Sequence, residues 1–195
     1  MTSRRQPAKR GVPEHRALPA KEMGLFKSLL KFYELKQYKK GIKVSDQILK
    51  KHPNHGETLC MKGLFYANLD QKDKAVTCAK LGITKDITSH VCWHVFGLIH
   101  RADRNYTEAA KCYTQALKFD PNNFQILRDL AVLQTQLRQY DQLVQTRHAL
   151  LQHQPGNSAY WLALVLAHHL TGKPKSALKV MATFEESIRT SVELG

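Results

Sequence analysis

Residues 89–123 read SHVCWHVFGLIHRADRNYTEAAKCYTQALKFDPNN. Three histidines, a cysteine and a tryptophan open the stretch, a mixture that suggests metal binding or catalysis until its spacing is set against the rest of the chain. Gly97 lies 34 residues after Gly63, Ala109 lies 34 after Ala75, and Asp120 lies 34 after Asp86. Pro121 and Pro155 repeat the interval, and Pro53 stands two intervals before Pro121. Extending the frame divides the chain into five units, 22–55, 56–89, 90–123, 124–157 and 158–191. A fixed period of this length marks a supersecondary unit that cannot bury its apolar face alone and must stack on its neighbours.

The period is that of the tetratricopeptide repeat, a helix–turn–helix unit. The expected fold is therefore all-α: a tetratricopeptide-repeat solenoid of five antiparallel helix–turn–helix units in a right-handed superhelix over residues 18–191. Small side chains at Gly97 and Ala109 let the two helices of a unit cross closely, and Trp93, Phe96 and Tyr113 fill the space around the crossing. Asp120 and Pro121 stop the second helix, because proline cannot continue a helix and disfavours helical backbone at the residue before it. First helices are predicted near 22–35, 56–69, 90–103, 124–137 and 158–171. Residues 1–17, rich in Arg, Pro and Gly, are predicted to form a disordered basic arm. Residues 192–195 read as a tail that continues into further repeats in a longer chain.

The repeat frame absorbs the histidines. His100 shares its position with Phe32, Tyr66, Gln134 and His168, a slot that takes a large ring packed between repeats. His90 and His94 share a helix face and could offer two metal ligands, but zinc sites usually need four convergent ones and the sequence suggests no others. Cys60, Cys78, Cys92 and Cys112 show no paired spacing and sit among apolar neighbours, as small core residues of a reducing compartment do. There is no phosphate-binding glycine loop, nucleophile elbow or zinc-protease helix motif. No catalytic, cofactor-binding or metal-ligating residue is assigned, and a solenoid of this kind is expected to be a binding scaffold. No apolar run approaches the ~18 residues of a membrane span, and no signal-peptide core precedes residue 17, so the expected location is cytoplasmic.

Charge points to one end. The net charge is +14, and residues 1–55 hold 14 Lys/Arg against 4 Asp/Glu. In KQYKKGIKVSDQILKK, residues 36–51, a helical step of about 100° places Lys36, Lys39, Lys40, Lys43 and Lys50 within roughly one third of the circumference. Tyr38, Ile42, Ile48 and Leu49 fall on the opposite side. Lys27 and Lys31 add a pair on the preceding helix, and Arg4, Arg5, Lys9, Arg10 and Arg16 lie on the arm. Such a face is often only solvated surface. With few acids to offset it, it also suits a polyanion, through contacts that are largely sequence-independent and sensitive to salt. The alternative binding surface is an apolar groove along the first helices, at Met23, Phe26, Met61, Leu64, Val91, Val95, Leu98, Leu162 and Leu166, with Lys27 and Arg128 as isolated cations. Met61, Leu64, Val95 and Leu98 would accept a partner helix laid in that groove, unless tighter packing between repeats fills it.

HGETLCMKGL (55–64), the stretch SHVCWHVFGL (89–98), ILRDLAVLQTQLR (126–138) and TRHALLQHQP (146–155) closely resemble the N-terminal repeats of the auxiliary subunit of the N-terminal acetyltransferase A complex, NatA. The resemblance runs from about Leu18 to about Glu186. It implies a non-catalytic scaffold that holds a catalytic acetyltransferase subunit at the ribosomal exit tunnel, where nascent chains are acetylated co-translationally. It also implies that basic surfaces of these repeats contact ribosomal RNA, in the region where the lysine stripe falls. The rival reading is a protein–protein adaptor that uses the apolar groove and has no RNA role.

Overall fold

The computed structural model describes residues 16–193. Among the described residues the secondary structure is ten α-helices with no strand. They are α1 (Ala20–Glu34), α2 (Tyr38–Lys51), α3 (Gly56–Asn68), α4 (Lys72–Lys85), α5 (His90–Ala102), α6 (Tyr106–Phe119), α7 (Phe124–Gln136), α8 (Tyr140–His153), α9 (Ser158–Leu170) and α10 (Pro174–Glu193). The five second helices begin 34 residues apart, as the sequence period requires. Helix α1 starts two residues before its expected position, because the carbonyl of Pro19 already accepts the Met23 amide at 2.8 Å. The chain divides into two compact units, residues 1–92 and 93–195.

The turns repeat as faithfully as the helices. Lys36, Asp70, Arg104, Arg138 and Gly172, spaced 34 apart, all have positive φ, between 55° and 69°. Each follows a first helix and closes it in the same way. The Lys36 amide donates to the Tyr33 carbonyl at 3.0 Å and the next amide, Gln37, donates back to Phe32 at 2.8 Å. The same pair of bonds runs from Asp70 and Gln71, Arg104 and Asn105, Arg138 and Gln139, and Gly172 and Lys173. This is the Schellman closure, in which a left-handed residue lets the chain turn back and satisfies the last helical carbonyls. Gly172 alone adopts it without a Cβ penalty.

Second helices end at His52, Asp86, Asp120 and Gln154, all extended in φ. Three residues on, His55, Ser89, Asn123 and Asn157 cap the next first helix, each side chain accepting a backbone N–H of that helix's first turn. Polar caps at this position satisfy donors that the helix itself leaves open.

In the unit of residues 1–92, Leu29, Ile48, Leu59, Cys60, Phe65, Ala75 and Ala79 form a buried core. The crossing of α3 and α4 is close at Gly63, where an added methyl would come within 2.8 Å of the Ala75 carbonyl oxygen. In the unit of residues 93–195, Ala109, Ala110, Tyr113, Ala116, Ile126, Leu130 and Leu133 form one cluster, and Leu127, Ala131, Leu143, Leu150 and Ala167 another. Gly97 faces the Tyr113 ring and the Ala109 carbonyl, the crossing its spacing predicts. Cys60, Cys92 and Cys112 are buried, and burial pushes the Cys112 thiol up to about 12, so it stays protonated.

Candidate functional site

The basic residues lie on α1, α2 and the turn between them. Gly41, Ser45 and Ile48 on α2 point inward and are buried, at the i, i+4, i+7 spacing of one helical face. The opposite face carries Lys39, Lys40, Lys43 and Lys50, all exposed, and the exposed Lys36 sits in the left-handed turn. Lys27 and Lys31 are exposed on α1. Among the described residues, no carboxylate forms an ion pair with any of these seven lysines. Two acids of this unit are held by other lysines: Glu22 by Lys51 at 2.7 Å and Asp46 by Lys62 at 2.7 Å. The Lys51 ammonium holds the Glu22 carboxyl below its usual range. Among the described residues, ion pairing therefore does not offset the stripe.

Of the arm residues, Arg4, Arg5, Lys9 and Arg10 lie outside the described residues. Arg16 is described, and it is anchored. Its guanidinium binds the Asp86 carboxylate through Nε and Nη2, the latter at 2.7 Å to Oδ1, and also donates to the Thr88 hydroxyl at 2.8 Å. Its carbonyl accepts from His55 Nε2 at 3.3 Å, while Nδ1 of the same ring caps α3 by accepting from the Thr58 amide at 3.2 Å. Those two bonds fix the tautomer. Burial keeps the His55 ring neutral by lowering its pKa. Arg16 thus ties the approach to α1 onto the end of α4 and is not available to a polyanion.

The apolar groove expected at Met61, Leu64, Val95 and Leu98 is not an open surface. Met61, Leu64 and Val95 are 3%, 3% and 4% exposed, and Leu98 packs against the cluster around Tyr113. The exposed large apolar side chains of the first helices are Leu30 on α1, Val132 on α7 and Leu162, Leu166 and Leu170 on α9.

His94 is also accounted for by packing. Its Nε2 lies 3.0 Å from Asp129 Oδ2, and its ring stacks obliquely on Tyr113. Arg101 donates to the other carboxylate oxygen at 2.9 Å. Among the described residues, no group of three or more His, Cys, Asp or Glu is placed to hold a metal ion. No described helix is long and apolar enough to cross a membrane.

Arg147 is a feature that the sequence reading missed. It occupies the position of Ser45, Ala79, Tyr113 and Met181 in the repeat frame, a slot where the first three are buried and Met181 is 40% exposed. An arginine in that slot was the available signal. Burial lowers its pKa, opposed only by the nearby Tyr160 hydroxyl.

A family model described as the Psidin N-terminal TPR repeats region matches residues 26–186. The N-terminal acetyltransferase A complex auxiliary subunit NAA15 of Arabidopsis thaliana is 48% identical over 172 residues, which cover 88% of this chain and 19% of the relative. The NatA auxiliary subunit N-alpha-acetyltransferase 16 of Homo sapiens is 47% identical over 172 residues, 87% of this chain and 20% of the relative. Among solved structures, a chain of Naa15/Naa10 bound to HypK-THB superimposes with a TM-score of 0.82 at 43% identity, covering 86% of this chain and 25% of that one. The chain spans about one fifth of the length of these curated relatives. Repeat period, helix order and sequence identity agree, and the chain belongs to the family of NatA auxiliary subunits, matching their N-terminal tetratricopeptide-repeat region.

Proposed function

We infer that this chain is a non-catalytic scaffold region that anchors a NatA-type acetyltransferase complex to the ribosome, in the cytoplasm, for co-translational N-terminal acetylation. A separate acetyltransferase subunit is the catalytic partner, and ribosomal RNA near the tunnel exit is the surface gripped. The observation that carries the reading is the set of seven exposed lysines on α1, α2 and their turn, none of which pairs with a carboxylate among the described residues. Phosphate contacts of this kind position a protein on RNA without reading its bases. Arg4, Arg5, Lys9 and Arg10 would extend the same charge.

The test is cosedimentation with ribosomes of the chain and of its Lys39→Glu/Lys40→Glu/Lys43→Glu variant. All three positions are exposed, so helical content should be unchanged. The reading expects the variant to leave the ribosomal pellet. Equal cosedimentation at physiological salt would overturn it.

A further inference from the structure

Within the unit of residues 93–195, α7, α8 and the first turn of α9 enclose a recess of about 350 Å³. Gln125, Arg128, Asp129 and Val132 of α7 line one side, Arg147 of α8 forms part of the lining, and Asn157, Ala159 and Tyr160 close the other side. Asp129 is already engaged by Arg101 at 2.9 Å, His94 at 3.0 Å and Gln125 at 3.3 Å. Among the described residues, neither Arg128 nor Arg147 has a carboxylate partner. Arg128 lies over the Phe124 ring, 5.8 Å from its centre, and Phe124 packs edge-on against Tyr160. Arg147 is half-buried in a slot that Ser45, Ala79 and Tyr113 occupy as buried residues in the three preceding repeats. Two guanidinium groups thus share one concave site with a single acid that is already compensated.

The surroundings narrow the ligand. Val132 is 52% exposed, and Leu162 and Leu166, on the face of α9 that continues from Ala159, are 52% and 61% exposed. A nucleic-acid backbone would place phosphates against these apolar side chains. An amphipathic peptide would cover them.

We propose that this recess docks an acidic, amphipathic segment of a partner protein, with a Glu or Asp carboxylate received by Arg128 and Arg147 and adjacent apolar residues covering Val132, Leu162 and Leu166. Arginine suits the role because its planar fork binds a carboxylate through two parallel hydrogen bonds. The carboxylate would also relieve the desolvated, uncompensated charge of Arg147.

The experiment is selection of a displayed library of random 12-residue peptides on the full chain, with an unstructured RNA decamer titrated in parallel. Enriched peptides should carry Asp or Glu flanked by Leu, Ile or Phe. Their affinity should fall at least tenfold on Arg128→Glu, a change at an exposed position, and on Arg147→Gln, with helical circular dichroism retained. RNA affinity should be unaffected by either change. Enrichment of no peptide, enrichment of peptides without acids, or binding that survives Arg128→Glu would overturn the proposal. Loss of RNA binding rather than peptide binding would assign the recess to nucleic acid and overturn it equally.

Discussion

Gly41 of α2 abuts the far edge of the Phe65 ring of α3, so closely that an added methyl would stand 2.5 Å from two ring carbons and 2.7 Å from a third. Phe65 is fully buried, so its ring can yield only by disturbing the core around it. This contact seats the lysine-bearing helix and turns its charged face outward. Gly41→Ala should therefore destabilise the protein. Overpacking costs about 1–3 kcal/mol, against a gain of about 1 kcal/mol from replacing a helical glycine. Gly24 of α1 has open space around its Cβ position, so Gly24→Ala should be neutral or stabilising. Urea denaturation of the two variants should give shifts of opposite sign, or a shift for Gly41→Ala alone.

The turn series predicts a stabilising change. Arg138 has φ of 55° and Gly172, its equivalent one repeat later, has φ of 69°. A non-glycine residue there carries a steric penalty of about 1–2 kcal/mol, partly offset by its stiffer unfolded chain. Arg138→Gly should raise stability by roughly 0.5–1 kcal/mol, and Gly172→Ala should lower it by about 1 kcal/mol. Thermal melts read both, and a lower midpoint for Arg138→Gly would contradict this account of the turns.

His55 links the Arg16 anchor to pH. Its folded pKa is lowered by burial, so the unfolded state binds the proton more readily. The stability it contributes is fully present above its unfolded pKa of about 6.5 and is lost as pH falls from there through the folded value. Asn caps equivalent helices at residues 123 and 157 without titrating in this range. His55→Asn should flatten the decline of stability below pH 6.5 relative to the unaltered chain. Equal pH dependence of the two proteins would show that the ring is not buried neutral.

Asp129 behaves in the acid range. Burial alone would raise its pKa, but the hydrogen bond from His94, the charge of Arg101 and the Gln125 bond together hold it low. Its contribution is present above the unfolded carboxylate range and lost as pH falls through the lower folded value. Asp129→Asn should cost about 1.5–3 kcal/mol near neutral pH, the worth of hydrogen bonds to a charged group. The difference from the unaltered chain should shrink at the acid end of the range. A pH-independent difference would mean that only shape, and not charge, matters at residue 129.

The repeats were legible because one physical demand, close crossing of two helices, recurs every 34 residues and selects small side chains such as Gly63, Gly97, Ala75 and Ala109. Helix positions followed directly. The turn geometry was hidden, since Lys36, Asp70, Arg104 and Arg138 are ordinary residues forced into a left-handed conformation by the helices they join. The outward lysine stripe on α2 was readable from helical phase alone. The Arg16 anchor was not, because it depends on Asp86, 70 residues away. The burial of Met61, Leu64 and Val95 was not readable, because a position on a first helix does not reveal whether a neighbour covers it. Arg147 was readable in principle, as the one charged residue in a slot otherwise filled by Ser45, Ala79, Tyr113 and Met181.

The central claim is that the lysine face grips ribosomal RNA through phosphates, and its most direct measurement is the salt dependence of ribosome binding. The affinity of the unaltered chain should fall linearly on a plot of log affinity against log salt. Lys39→Gln/Lys40→Gln/Lys43→Gln should reduce the slope by roughly 0.7–0.9 for each phosphate contact removed. A slope unchanged in the triple variant, or binding indifferent to salt, would contradict the account and place the ribosomal contact elsewhere on the chain.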